Sequence, residues 1–203
     1  MVTVVGIGPG DEKYITPIAL EKIKSADVLV GGNRNLELFS DMTCEKIIIN
    51  ANTDYQEIFK KKGHIVFIAS GDPLLYGITD VILRYKEKSD IEIVPGISSI
   101  QYIFSKIKIS MNDMVVVSLH GREQELISKV KEYKKVAVLT DKRHTPQYIA
   151  KLLMENGIYG KTIYIGENLS YENEKISKYK VSELYKCKDE FDMNVVVITC
   201  QDV

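Results

Sequence analysis

The sequence is poor in the residues that build disulfide frameworks and metal sites. Among 203 residues it holds three cysteines, Cys44, Cys187 and Cys200, and three histidines, His64, His120 and His144. The cysteines are far apart and include no Cys-x-x-Cys pair. That excludes a disulfide framework and a zinc ribbon, and fits a reducing compartment such as the cytoplasm. The histidines show no metal-ligand spacing, so no metal is expected. No apolar run approaches the length of a membrane span. The chain enters a strand-like run, Val2-Thr3-Val4-Val5, without a basic n-region, so no signal peptide is expected. A net charge of −1 gives no general affinity for nucleic acid or membrane surfaces.

What the chain does contain is a regular alternation. Short β-branched runs, each ending in glycine or a polar turn, precede stretches with helical spacing. The strand candidates of the first half are 1–7, 26–30, 47–49, 65–69 and 91–94. Their lack of alternation suits strands buried on both faces of a parallel sheet. Thr16-Pro17 reads as a cap followed by proline at the first helical position. Asp72-Pro73 reads the same way, with a helix running on to about Glu87. Residues 35–39 and 54–62 read as further helices, and Ser98-Ser99 opens another. Polar residues 108–113 interrupt the pattern and place a boundary between domains 1–109 and 114–203. The second half restarts with strands at 114–119, 136–139, 162–165 and 194–199. Its helices follow residue 122 and Thr145-Pro146. The region 174–184 fits neither pattern clearly and is a candidate for a short strand. Strand followed by helix throughout indicates an α/β fold.

Ligands of such sheets bind beyond the carboxyl ends of the strands. The turns there are Gly6-Ile7-Gly8-Pro9-Gly10-Asp11, Gly31-Gly32-Asn33-Arg34 and Ser70-Gly71-Asp72-Pro73. The first is not a dinucleotide fingerprint. Its glycines are two apart, Pro9 removes an N–H that a pyrophosphate needs, and no acid ends the second strand. No Gly-Lys-Ser/Thr follows, so it is not a P-loop either. A glycine turn lacking an amide suits a ligand without phosphate.

Gly6-Ile7-Gly8-Pro9-Gly10-Asp11, Gly71-Asp72-Pro73 and Pro95-Gly96-Ile97-Ser98-Ser99, in that order and spacing, resemble the tetrapyrrole methylase family over the whole chain. Gly31-Gly32-Asn33-Arg34, Ser118-Leu119-His120-Gly121-Arg122, Leu139-Thr140-Asp141 and Gly166-Glu167-Asn168-Leu169 resemble the branch that methylates C5 of a cobalt-precorrin in cobalamin synthesis. The resemblance implies two α/β domains, the first mainly parallel and the second mixed, with an active-site cleft between them. It implies S-adenosylmethionine as methyl donor and a corrinoid substrate. It places cofactor contacts on Pro9, Gly71, Asp72, Leu75, Ser98 and Ser99, then on Leu139 or Thr140, and on Leu169. It also implies a homodimer, and a separate C15-methylating decarboxylase as a candidate partner.

Several roles stay open at this level. Asp72 serves either the cofactor or a helix cap. His120 is a candidate base for the C5 proton, or a loop hydrogen-bonder. Arg34 and Arg122 follow strand ends and suit the carboxylates of a tetrapyrrole, against the alternative of solvated charge. Lys142-Arg143-His144 divides evenly between the same two readings. A same-fold methyltransferase for RNA or a modified protein, a corrinoid carrier and a nicotinamide oxidoreductase are the competing functions. Balanced charge disfavours the first, an intact motif set the second and the loop spacing the third.

Overall fold

The computed structural model describes residues 1–119 and 123–200. Contacts divide the chain into two units, Met1–Ser98 and a second beginning at Ser99. The sequence reading puts the break at 110–113. The difference is the helix α5 (Ser99–Ile107), which groups with the second unit. Its buried face, Ile100, Tyr102, Ile103 and Phe104, is apolar, and Ile103 reaches Gly166 of that unit.

The first unit is a five-stranded parallel sheet. Its strands are β1 (Val2–Gly6), β2 (Val28–Gly31), β3 (Glu45–Ile48), β4 (Ile65–Ala69) and β5 (Ile91–Val94), in the order β3-β2-β4-β1-β5. The three central strands are buried along their whole length, as continuous Val/Ile runs require. One face packs Val5, Ile23, Leu29, Val66 and Ile68; the other packs Val4, Val30, Ile58, Phe67 and Ile82. Helix α1 (Pro17–Lys24) starts where the sequence puts it, with Thr16 Oγ1 accepting from Ala19 N at 3.3 Å. Helix α2 (Asn33–Glu37) follows β2, and α3 (Tyr55–Phe59) is capped by Asp54.

The long helix expected after Asp72-Pro73 is not formed. Only α4 (Thr79–Ile82), one turn, is helical. The Pro73 carbonyl is taken by the Thr79 hydroxyl at 2.7 Å, and Tyr76 has φ 53°. Leu74 is 63% exposed, so the apolar spacing there does not mark a buried face.

The second unit adds β6 (Met114–Ser118), α6 (Glu123–Glu132), β7 (Lys135–Leu139), α7 (Pro146–Glu155), β8 (Lys161–Glu167), β9 (Lys175–Lys180), α8 (Val181–Lys186) and β10 (Asn194–Cys200). The order is β6-β7-β10-β8-β9. Only β6 and β7 pair in parallel; β10 runs antiparallel to both neighbours, and β8–β9 is a hairpin. The sheet is therefore mixed. The region 174–184 resolves into a full strand and a helix. Thr145 caps α7 by accepting from Tyr148 N, as its Thr-Pro signal predicts. Among the described residues, no helix is long and apolar enough to cross a membrane, and no group of three or more His, Cys, Asp or Glu is placed to hold a metal.

The carboxyl ends of β4, β1 and β5 lie side by side, and their backbones touch. A Cβ built on Gly6 would stand 2.6 Å from both Gly71 O and Gly96 N. One on Gly96 would overlap Gly71 O and stand 2.7 Å from the Gly6 carbonyl carbon. No side chain fits at either position. Gly160, by contrast, has open space around it. Gly96→Ala should therefore lower unfolding free energy by at least about 2 kcal/mol, through overpacking against backbone. Gly160→Ala should change it by less than about 0.5 kcal/mol. Urea midpoints of the two variants check this; equal midpoints would remove the claim of close backbone approach.

Candidate functional site

In the first unit, the site residues assemble around these glycines. Gly8 (φ 84°) and Gly71 (φ 65°) occupy the left-handed region that only glycine enters freely. They exchange hydrogen bonds: Gly71 N donates to Gly8 O at 2.7 Å, and Gly8 N to Gly71 O at 3.4 Å. Pro9 follows, buried, with no N–H to offer. The loops after β1 and β4 are thus clamped together by main chain alone.

Asp72 ties in the third loop. Its Oδ1 accepts from Leu74 N at 2.8 Å and its Oδ2 from Gly96 N at 3.2 Å. The helix that Asp72 was expected to cap is absent, so its carboxylate acts as a brace between the β4 and β5 loops. Each oxygen keeps a second lone pair for a ligand donor. Leu75 is half-buried beside it, and Ser98 is buried at the end of the β5 loop. Ser99 opens α5.

Arg34, in the first turn of α2, is exposed and donates through Nη2 to Ser70 Oγ at 3.4 Å. Ser70 in turn donates to Asn35 Oδ1 at 3.0 Å. The structure therefore brings Arg34 to the residue preceding Gly71. Sequence spacing puts Arg34 after a strand end but gives no sign of this Asn35–Ser70 link. It also misses the mutual contact of Gly6 and Gly96.

In the second unit, Leu139 closes β7. The Thr140 hydroxyl is committed to Asn194, bonding its main-chain carbonyl and, at 3.0 Å, its side-chain oxygen. Leu169 is buried against Gly166, where an added Cβ would lie 2.7 Å from its Cδ2. Glu167 is buried at the end of β8. Its Oε1 accepts from Asp192 N at 3.2 Å, while Oε2 has no hydrogen bond and lies 3.7 Å from Lys175 Nζ.

The loop after β7 is organised by Asp141. Its Oδ1 accepts from the backbone N of Arg143 and of His144, both at 2.8 Å. Both carboxylate oxygens lie 2.9 Å from His144 Nδ1. The imidazole bond, reinforced by these amides, holds the Asp141 carboxyl well below the usual carboxylate range. Lys142 and Arg143 are exposed. The remaining two candidates, His120 and Arg122, lie outside the described residues.

Residues 1–185 match the tetrapyrrole (corrin/porphyrin) methylase family. The chain is 39% identical over 202 residues to the cobalt-precorrin-7 C(5)-methyltransferase of Salmonella typhimurium, covering 98% of both. It is 38% identical over 195 residues to the probable cobalt-precorrin-7 C(5)-methyltransferase of Methanocaldococcus jannaschii, covering 91% of each. Among solved structures, a precorrin-6Y methylase from Archaeoglobus fulgidus has a TM-score of 0.77 at 24% identity, with 98% of this chain and 97% of that one covered. The uroporphyrin-III C-methyltransferase of Thermus thermophilus, complexed with S-adenyl homocysteine, has a TM-score of 0.75 at 17% identity, with 98% and 96% covered. These two likenesses concern the fold, while the family match and the two close relatives concern descent. The protein belongs to the tetrapyrrole (corrin/porphyrin) methylase family.

Proposed function

We propose that this protein is the S-adenosylmethionine-dependent methyltransferase that acts on C5 of cobalt-precorrin-7 in cobalamin biosynthesis. The observation that carries the reading is the 39% identity, spread over 98% of both chains, to an enzyme of that name. A family match alone would leave the tetrapyrrole open.

The residues fit the methyl donor. The turn after β1 lacks the amide and lysine that a phosphate ligand needs, and the braced loops offer main-chain carbonyls and amides instead. In the first unit Pro9, Gly71, Asp72, Leu75 and Ser98 would hold the donor. In the second unit the candidates are Ser99, Leu139, Thr140 and Leu169. When bound, S-adenosylmethionine supplies a methyl already activated by the sulfonium charge, which C5 accepts with its own electron pair while sulfur keeps the bonding pair. The protein's share is alignment and exclusion of water, which needs rigid loops more than reactive side chains. Glycine contacts and the Asp72 brace give that rigidity. Arg34 and Arg122 pair with carboxylates on the ring's rim, a task for which guanidinium is suited. His120 is a candidate acceptor of the C5 proton.

The same reading makes the protein a cytoplasmic homodimer. This chain is also 28% identical, over 87% of its own length and 44% of the relative's, to the precorrin-6Y C(5,15)-methyltransferase [decarboxylating] of a Sinorhizobium species. A C15-methylating decarboxylase is the partner this reading proposes.

Calorimetry should show binding of S-adenosylmethionine and none of NADH. Transfer of one methyl to cobalt-precorrin-7, and none to RNA, tests the substrate; transfer to RNA alone would overturn it. Asp72→Ala should weaken cofactor binding about tenfold or more, given 1.5–3 kcal/mol for hydrogen bonds to a charged group, with the far-ultraviolet spectrum retained. Ser98→Trp should act in the same direction. Unchanged affinity in both variants counts against this site. Arg34→Ala and Arg122→Ala should each raise KM for the corrinoid about tenfold and leave cofactor affinity alone. A loss confined to cofactor binding would remove the carboxylate role.

A further inference from the structure

The loop that takes the place of a helix after Asp72 is held in a strained shape. Tyr76 has φ 53°, a left-handed conformation that a bulky residue adopts only at a cost. Gly77 passes so close to Pro73 that a Cβ built on it would overlap the Pro73 carbonyl oxygen. Buried Thr79 donates its hydroxyl to that same oxygen at 2.7 Å. Asp72 Oδ1 accepts from Leu74 N at 2.8 Å, and Asp72 O accepts from Leu75 N at 3.3 Å. Pro73 is buried, and its ring fixes φ. The segment 72–79 is thus braced from both ends.

What this brace holds in the open is Leu74. At 63% it is the most exposed large apolar side chain among the described residues, apart from the terminal Met1 at 70%. A lone exposed leucine on an unstrained surface needs no special cause, since every surface carries some. A leucine kept exposed by a braced and strained loop is another matter. Asp72-Pro73 and the spacing after it favour a helix, which would carry no positive φ. Departure from the local preference, with strain stored in its place, is the mark of a functional segment.

We propose that Leu74 is a substrate-contact residue whose side chain packs against the apolar plane of the tetrapyrrole ring. The inference rests on the functional reading above and deepens it, by naming what meets the face of the ring as distinct from its rim. Two observations select this occupant. The loop leaves the carboxyl end of β4, the edge at which ligands of such sheets bind. Arg34, in the helix that follows the adjacent strand β2, reaches the same loop: its Nη2 donates at 3.4 Å to Ser70 Oγ, four residues before Leu74. A guanidinium and an exposed apolar side chain therefore belong to neighbouring loops on one sheet edge. A tetrapyrrole calls for both, because its rim carries carboxylates and its conjugated plane is apolar. The two contacts differ in their response to salt. Ions screen the pairing of exposed charges, and apolar burial has no charge to screen.

The test titrates the full-length protein with cobalt-precorrin-7, followed by tetrapyrrole absorbance, and then measures kcat and KM with S-adenosylmethionine. Leu74→Ala should weaken ring binding about tenfold and raise KM to match, equally at low and high salt. Cofactor affinity and the urea midpoint should not move. Leu74→Met keeps volume and apolar character, and should stay within about threefold of the wild type. The loss in Arg34→Ala should shrink as salt rises. Unchanged ring affinity in Leu74→Ala overturns the inference, and so does a loss that falls on S-adenosylmethionine instead. A changed sedimentation coefficient with ring affinity kept also overturns it, and makes Leu74 a contact between copies of the chain. Uroporphyrin, a porphyrin ringed with carboxylates, separates this inference from the reading it rests on. If the protein methylates no corrinoid yet binds uroporphyrin, and Leu74→Ala weakens that binding, the assigned reaction fails and the ring contact stands. If neither macrocycle binds, both fail.

Discussion

Three main chains meet at the ends of β4, β1 and β5 with no room for a side chain between them. This steric constraint governs the first unit. The ladder hydrogen bonds stop where the strands stop, so the next amides and carbonyls need new partners. Here they find one another: Gly8 with Gly71 in both directions, and Gly96 with the Asp72 carboxylate. Contact this close requires Gly6 and Gly96 to lack a Cβ, and Gly8 and Gly71 to adopt positive φ. The loops are thus joined by main-chain contacts, and the first of them, Ile7 to Gly10, is also buried.

The second unit solves the same problem differently, and the cause is strand direction. In a parallel sheet all carboxyl ends share one edge. In this mixed sheet the end of β8 lies beside the start of β10, since Glu167 pairs with Asn194. Acidic and amide side chains from both therefore crowd the same edge. They bond among themselves through Thr140, Asn168, Asp192 and Asn194. Glu167 shows the strain of that crowding. It is buried, yet one oxygen has only a lysine 3.7 Å away. An oxygen left without a hydrogen bond in such a place costs about 1–3 kcal/mol or more.

Much of this was legible in the sequence. The run Ile65–Ala69 is the strand β4 to the residue, and Thr16-Pro17 and Thr145-Pro146 open helices where their chemistry says they must. Apolar runs report burial, however, and carry no direction, so the antiparallel placement of β8, β9 and β10 was not readable from them. The helix after Asp72 gives way to a side-chain competition within the same loop. Thr79 takes the Pro73 carbonyl, and that competition is invisible to spacing. The polar stretch 108–113 drew the domain boundary because it looks like a linker. Lys108 and Asp113 do turn the backbone there, with φ of 57° each. Yet α5, before it, packs by its apolar face with the unit that follows. Among site residues, positions next to glycine turns were readable because glycine marks close approach. The Asn35–Ser70–Arg34 chain was not, since it joins side chains from two separate loops.

Charge conservation links the chemistry to this architecture. Methyl transfer begins with a cation on sulfur and ends with a neutral thioether. The positive charge does not vanish; it leaves as a proton from the ring carbon. Main-chain loops can align the reacting atoms, but carbonyls and amides cannot take up a proton near neutral pH. Some titratable group must, and water held out of the reaction cannot do it in place. A site that aligns its reactants with backbone atoms would thus still need one proton acceptor, and that requirement comes from the balance of charge over the reaction.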